Sequence, residues 1–355
     1  MVFNDIKNKI AKERFGFFLY EILISFILIF FLMVVIWFLL PLFIGQDSII
    51  FGLIFNIIRM LIIVFTIPLV LLLSSKFNGV QKYKSKGKND ISPFRMQFKL
   101  FKITKKNYKY QVLQGLLLLF LVFIPLNFSI YLLIPNLVLY HSISLTFNLQ
   151  HSYLLLEEYF LFLIFVIIIQ TSVSILEETL IRGFIAKRGA EYFNRVSAAL
   201  ISAYYFGFME FTFFLNPLSH LFPFWFPLIR FLSSFLIGLI LSLTVIRRKW
   251  LLPVIFAHAI NNILLAHIYW NLLQGNEFLT IILYFYIPLL AISLILLIWK
   301  FSMIKESLSI GLNMLKVYIK NDKKEREENS DKYFRILFDI VIGFLIFLIG
   351  MLIVV

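Results

Sequence analysis

Nine stretches of this chain are apolar for long enough to cross a bilayer, which takes about 20 residues of helix. They run at roughly 16–44, 49–73, 112–134, 159–185, 196–214, 229–246, 251–269, 278–299 and 336–355. In hydrocarbon there is no water to satisfy a backbone N–H or C=O, so an unbroken apolar run of this length reads as a helix. The pattern predicts an all-α, polytopic membrane helix bundle of about nine transmembrane spans. The first run is too long for the apolar core of a signal peptide, and no small-residue cleavage site follows it, so it reads as a retained anchor.

The polar positions alternate in kind from loop to loop. Lys7, Lys9, Lys12 and Arg14 precede the first span. The loop at 75–110 carries Lys76, Lys82, Lys84, Lys86, Lys88, Arg95, Lys99, Lys102, Lys105, Lys106 and Lys109 against Asp90. Lys187, Arg188 and Arg195 follow the fourth span, Arg247, Arg248 and Lys249 the sixth, and a charged linker at 300–335 the eighth. The intervening loops 45–48, 135–158, 215–227 and 270–277 hold no Lys or Arg. By the positive-inside rule this places the N-terminus in the cytoplasm of a multi-pass protein of the cell membrane. Two basic stretches have helical apolar faces, Phe94, Phe98 and Phe101 in one and Ile304, Leu308, Leu315 and Ile319 in the other. They predict short amphipathic interfacial helices that touch anionic headgroups.

Composition agrees with a lipid solvent. Of 355 residues 61% are hydrophobic and 15% charged, where a soluble domain has about a quarter charged. The net charge of +14 sits in loops between spans, so it reads as membrane topology and not as a nucleic-acid surface. Cysteine is absent, which excludes disulfides, thiolate ligands and a cysteine nucleophile.

Ionisable groups inside a span each need a reason, because insertion costs about 2.5–3.5 kcal/mol. Glu21 and Arg230 fall near span ends, where snorkelling suffices. Asp339 sits beside the basic linker, Arg59 in mid-span needs a carboxylate on another helix, and His267 lies near a span end. A second group concentrates at 159–269, between N-terminal spans at 1–158 and C-terminal spans at 270–355. Span four ends with Glu177, Glu178 and Arg182. Glu178 and Arg182 share a helix face and pair, while Glu177 points about 100° away. Span five carries Phe206 and Glu210, and span seven His258 and Asn262 on one face. With a rise of 1.5 Å per residue, Glu177 and His258 lie roughly 13–16 Å from the basic ends of their helices, and Glu210 about 20 Å.

At these residues the chain resembles the CPBP intramembrane endopeptidases, which include the type II CAAX prenyl endopeptidases and the Abi-like bacteriocin-processing or immunity proteins. Glu177, Glu178 and Arg182 match the family's first motif, two glutamates then three residues and an arginine. His258 and Asn262 match the third, a histidine followed four residues later by asparagine. The second motif, phenylalanine followed four later by histidine, has Phe206 but carries Glu210 in place of the histidine. His220, ten residues on, is a poor substitute.

The resemblance implies hydrolysis of a lipidated or membrane-tethered peptide. Glu177 would take the proton from water, His258 and Asn262 would donate to the oxyanion, and Glu178 and Arg182 would orient Glu177. Glu210 leaves three outcomes open. It shares a proton with Glu177; or Glu177, Glu210 and His258 bind a divalent metal such as zinc, with which such ligands are compatible; or catalysis is lost and the protein is a membrane immunity, scaffold or peptide-binding protein. A transporter with an acidic relay is a further alternative, although matched broken spans in two halves are missing. The HExxH of a site-2-type metalloprotease, the serine turn of a rhomboid and the Gly-x-Gly-Asp of a presenilin are all absent from the sequence.

Overall fold

Apolar runs of this length wind into helices, and the computed structural model, which describes residues 2–46, 48–77, 93–146, 149–211, 222–320 and 327–354, contains no strand among them. In chain order, α1 (Ile6–Leu42) and α2 (Ile49–Ser74) are spans and α3 is short (Pro93–Lys99). Next come α4 (Tyr108–Leu133), α5 (Pro135–Thr146) and α6 (Tyr159–Glu191). Then follow α7 (Arg195–Phe208), α8 (Trp225–Arg248), α9 (Leu252–Leu273), α10 (Phe278–Trp299), α11 (Phe301–Ile319) and α12 (Asn329–Met351).

Eight helices among the described residues are long and apolar enough to cross a membrane, one fewer than the hydrophobic pattern predicts. The difference is α7. Among the described residues the run expected at 196–214 gives a helix of 14 residues, about 21 Å at 1.5 Å per residue and short of the hydrocarbon thickness. Residues 212–214 of that expected span lie outside the described residues, as do His220, Lys82, Lys84, Lys86, Lys88, Asp90 and residues 321–326 of the charged linker. Both amphipathic stretches form helices, α3 and α11.

The local sequence explains how the site helices are joined. Asn194 caps α7, its side-chain oxygen accepting from Val196 N at 3.1 Å. Helix α8 ends at Lys249, left-handed at φ 61°, and Pro253 opens α9, so the basic turn reverses the chain within a few residues. Leu251 N donates to Leu100 O at 2.9 Å, docking that turn on the segment after α3. Helix α4 approaches α9 closely at Gly115, where an added Cβ would lie 2.7 Å from the Phe256 ring.

Two large apolar cores result, beside a small cluster of Leu40, Phe51 and Phe55 between α1 and α2. One joins α4, α5, α8, α9 and α10 and takes Phe162, Val166 and Ile169 from the first half of α6. The other joins α1, α2, α7 and α12 and takes Leu180, Ile181, Phe184 and Ile185 from its second half. Helix α6 thus passes from one core to the other, and Glu177 and Glu178 sit at the changeover. Helix α9 is the central span, with 61% of its apolar window buried against 17% for α10.

Charged groups expected to snorkel are instead paired inside the protein. Glu21 takes Arg188 Nη2 at 2.6 Å and Nε at 2.9 Å, and Tyr192 donates to it at 2.6 Å. Asp339 pairs with Arg14 and accepts from Ser197 at 2.6 Å and Tyr318 at 3.0 Å. Arg230 pairs with Glu210. His267 contacts Asn271, with its ring against Phe285 and Tyr159.

Candidate active site

The chemistry of this region begins with a change in helix pitch. Helix α6 is α-helical through Glu177 and π-helical from Glu178 to Arg188. Widened turns of this kind are rare and gather at functional sites. Here the change falls between the two adjacent glutamates.

Both of them approach His258 on α9. Glu178 Oε1 lies 2.7 Å from His258 Nδ1, and Glu177 Oε2 lies 3.7 Å from His258 Nε2. A carboxylate only accepts, so Nδ1 carries a hydrogen and donates to Glu178, while Nε2 faces Glu177. Glu178 also pairs with Arg182, Oε2 to Nε at 3.2 Å, and both side chains are fully buried. Glu178 is therefore shared between arginine and histidine. It contacts the imidazole as well as the helix end. Glu177 keeps 18% of its side-chain surface and is the more accessible of the two carboxylates.

The histidine is held on its faces as well. Phe123 stacks on the ring at 5.7 Å between centroids, and the Phe206 ring meets it edge-on at 5.9 Å. Arg182 lies 4.1 Å above the same Phe206 ring. The second-motif phenylalanine thus sits between the buried cation and the imidazole. Ser202 donates to the carbonyl of Ile181 at 2.9 Å and meets Ser242 at 2.9 Å, tying α7 and α8 to the π-helical turn.

Asn262, one turn beyond His258, is oriented by its neighbour. Asn127 on α4 donates to Asn261 Oδ1 at 2.9 Å, and Asn261 Nδ2 donates to Asn262 Oδ1 at 3.3 Å. With its oxygen engaged, Asn262 presents its NH2 group as a donor. Asn127 and Asn261 are not visible as site residues from the sequence. An amide inside an apolar span was the available signal. Arg59 on α2, which needed a carboxylate, lies within electrostatic reach of Glu177 and over the Phe55 ring at 5.5 Å.

Glu210 does not join this group. Its carboxylate accepts Arg230 Nε at 3.2 Å, Arg230 Nη2 at 3.0 Å and Ser234 Oγ at 2.7 Å. Arg230 Nη1 reaches the Tyr131 hydroxyl at 3.4 Å; Tyr131 meets Tyr269 at 2.9 Å, and Tyr269 meets His141 Nδ1 at 2.7 Å. This is a second polar centre, joining α4, α5, α8 and α9 to the end of α7. The grouping of Glu177, Glu210 and His258 as three metal ligands does not form, because Arg230 and Ser234 occupy the Glu210 oxygens. No three His, Asp or Glu among the described residues come together in a metal-holding group.

The comparisons fall on this core. A family model described as type II CAAX prenyl endopeptidase Rce1-like matches residues 158–264, which run from the start of α6 into α9 and hold Glu177, Glu178, Arg182, Phe206, Glu210, His258 and Asn262. No curated protein and no solved structure matches the chain. The match supports the CPBP resemblance carried by the motifs and makes an integral-membrane protease the family-level reading.

Proposed function

We propose that the protein is an intramembrane endopeptidase that hydrolyses lipidated, CAAX-type or otherwise membrane-tethered proteins through a water activated by Glu177. The observation that carries this reading is the placement of one imidazole between two glutamates of unequal burial. Glu178 fixes the tautomer of His258. The 3.7 Å between Glu177 and Nε2 is longer than a direct hydrogen bond and lets both groups engage one water from the side.

In this mechanism Glu177 accepts the water proton as its oxygen attacks the peptide carbonyl, and delivers that proton to the departing amine. The Asn262 NH2 group donates to the oxyanion. His258 Nε2 orients the water as an acceptor. Arg182 supplies the counter-charge beside Glu178, and Phe206 keeps Arg182 off the imidazole. Glu210, occupied by Arg230, takes no proton and binds no water in this scheme.

The same occupation of Glu210 favours a second reading, a family member that has lost hydrolysis and binds a peptide at this site as a membrane immunity or scaffold protein. Purified protein in lipid, offered a panel of farnesylated and acylated peptides, separates the two. Hydrolysis that falls about 10²–10⁴-fold in Glu177→Gln, at unchanged melting temperature, supports the endopeptidase. Saturable peptide binding without cleavage, unaltered by Glu177→Gln, supports the scaffold.

A further inference from the structure

Helix α11 begins at Phe301, with only Lys300 between it and the end of the α10 span at Trp299, and it carries two apolar stripes. The first, Ile310, Met314 and Tyr318, has a four-residue spacing and turns toward the protein. Tyr318 is buried, its hydroxyl on Asp339 at 3.0 Å, its carbonyl accepting Arg335 Nη2 at 3.0 Å and its ring 4.8 Å under that guanidinium. Asp339 also holds Arg14 and Ser197, so this face of α11 is bolted to α1, α7 and α12.

The second stripe is exposed. Phe301, Leu308, Leu312, Leu315 and Ile319 recur on a helical repeat along one line, with Leu308 63% and Leu312 59% accessible. Lys305 and Lys316 flank it, and a groove of about 360 Å³ runs between them over Leu308 and Leu312. Lys300 and Lys320 stand at the two ends, Lys300 lying 3.8 Å over the Trp299 ring. Glu306 is the one acid on the helix. An apolar line edged by lysines, at the mouth of a span, needs acyl chains and phosphates together; a free anion would satisfy only the lysines.

We propose that α11 is a docking surface for anionic phospholipids, with its outer stripe sunk among acyl chains and Lys305, Lys316 and Lys320 on headgroup phosphates. The Tyr318 anchor fixes the rotation of the helix, so the stripe is presented to lipid before any lipid arrives. This inference does not depend on catalysis.

The absence of cysteine makes a direct test possible. Leu312→Cys and, separately, Leu308→Cys carry an environment-sensitive fluorophore in full-length protein reconstituted in vesicles; Glu306→Cys, exposed and outside the groove, is the polar-face control. With one third phosphatidylglycerol in phosphatidylcholine, emission at 312 or 308 shifts to shorter wavelength and shallow nitroxide lipids quench it, while 306 remains open to iodide. In the triple variant Lys305→Gln, Lys316→Gln, Lys320→Gln the anionic preference falls, by roughly fivefold per lysine. Equal burial in pure phosphatidylcholine overturns the charge requirement. Labels that stay open to iodide in both lipids overturn the docking surface. Burial that rises with protein density and appears as cross-links between two Leu312→Cys chains overturns it in favour of contact between copies.

Discussion

Glu210 and Arg230 face each other through two hydrogen bonds, 3.2 and 3.0 Å, on helices that meet beside the candidate active site. A buried cation stripped of its partner costs about 3–5 kcal/mol. Glu210→His, which would restore the family's second motif, therefore strands Arg230. It is expected to lower the melting temperature in detergent and to yield no gain in hydrolysis. Glu210→His with Arg230→Leu removes the stranded charge and recovers most of the lost stability. If the single variant melts like wild type, Arg230 does not depend on Glu210.

The Asn127–Asn261–Asn262 chain makes a separate prediction about catalysis. Asn127→Leu removes the first donor, at 2.9 Å, and frees Asn261 and then Asn262 to turn. Asn262 would then present oxygen as often as NH2 to the oxyanion. The expected result is a loss of about tenfold or more in kcat with KM little changed, since the interaction forms in the transition state. Asn127→Asp, which keeps an oxygen but loses the donor, should behave like Asn127→Leu.

Much of this architecture was legible in the sequence, for identifiable reasons. Spans α1, α2, α4, α6, α8, α9, α10 and α12 were found because hydrocarbon forces long apolar helices. The run at 196–214 is not among the spans of the described residues; small and aromatic residues such as Ala198, Ala199, Tyr205 and Phe206 read as apolar whether they face lipid or pack inside a bundle, and α7 packs against α6, α8 and α12. At the site, the pairing of Glu178 with Arg182 followed from helical spacing alone. The partnership of Glu178 with His258 did not, because the two lie 80 residues apart and only helix packing joins them. The position of Arg230 near a span end suggested a snorkelling group. Its carboxylate comes from the neighbouring helix, which no local pattern encodes.

Acidification should weaken the fold through the segment between α5 and α6. Burial, with help from Arg59, pushes the His151 imidazole down from 6.5 to about 4. Burial pushes His141 well down too, with Arg230 and His151 adding to it and Tyr269 holding its Nδ1. Both folded values lie below the unfolded one, so the unfolded chain binds more protons between pH 6.5 and about 4. The stabilisation is complete above pH 6.5 and is lost as pH falls through that window. Melting temperature in detergent should be level from pH 8 to 7 and drop toward pH 5. In His151→Gln the drop should be shallower, and an unchanged slope would remove His151 from the account.

Asp339 concentrates the tertiary ties of the N-terminal and C-terminal helices in one carboxylate. It is 2% exposed and receives Arg14, Ser197 and Tyr318, from α1, α7 and α11. Asp339→Leu leaves the 4%-exposed Arg14 without its counter-charge and should cost about 3–5 kcal/mol. Asp339→Asn keeps acceptors for the two hydroxyls but not the charge, and should fall between that variant and wild type. The pair Asp339→Leu with Arg14→Leu replaces an ion pair by apolar contact inside a lipid-facing bundle, where such exchanges are often neutral. It should melt near wild type. Because Ser197 shares α7 with Phe206 and Ser202 and loses its acceptor in both variants, hydrolysis should fall in the single and the double variant alike. A loss confined to Asp339→Leu would show that the charge balance of Asp339, and not its hydrogen bonds, positions α7 against the candidate site.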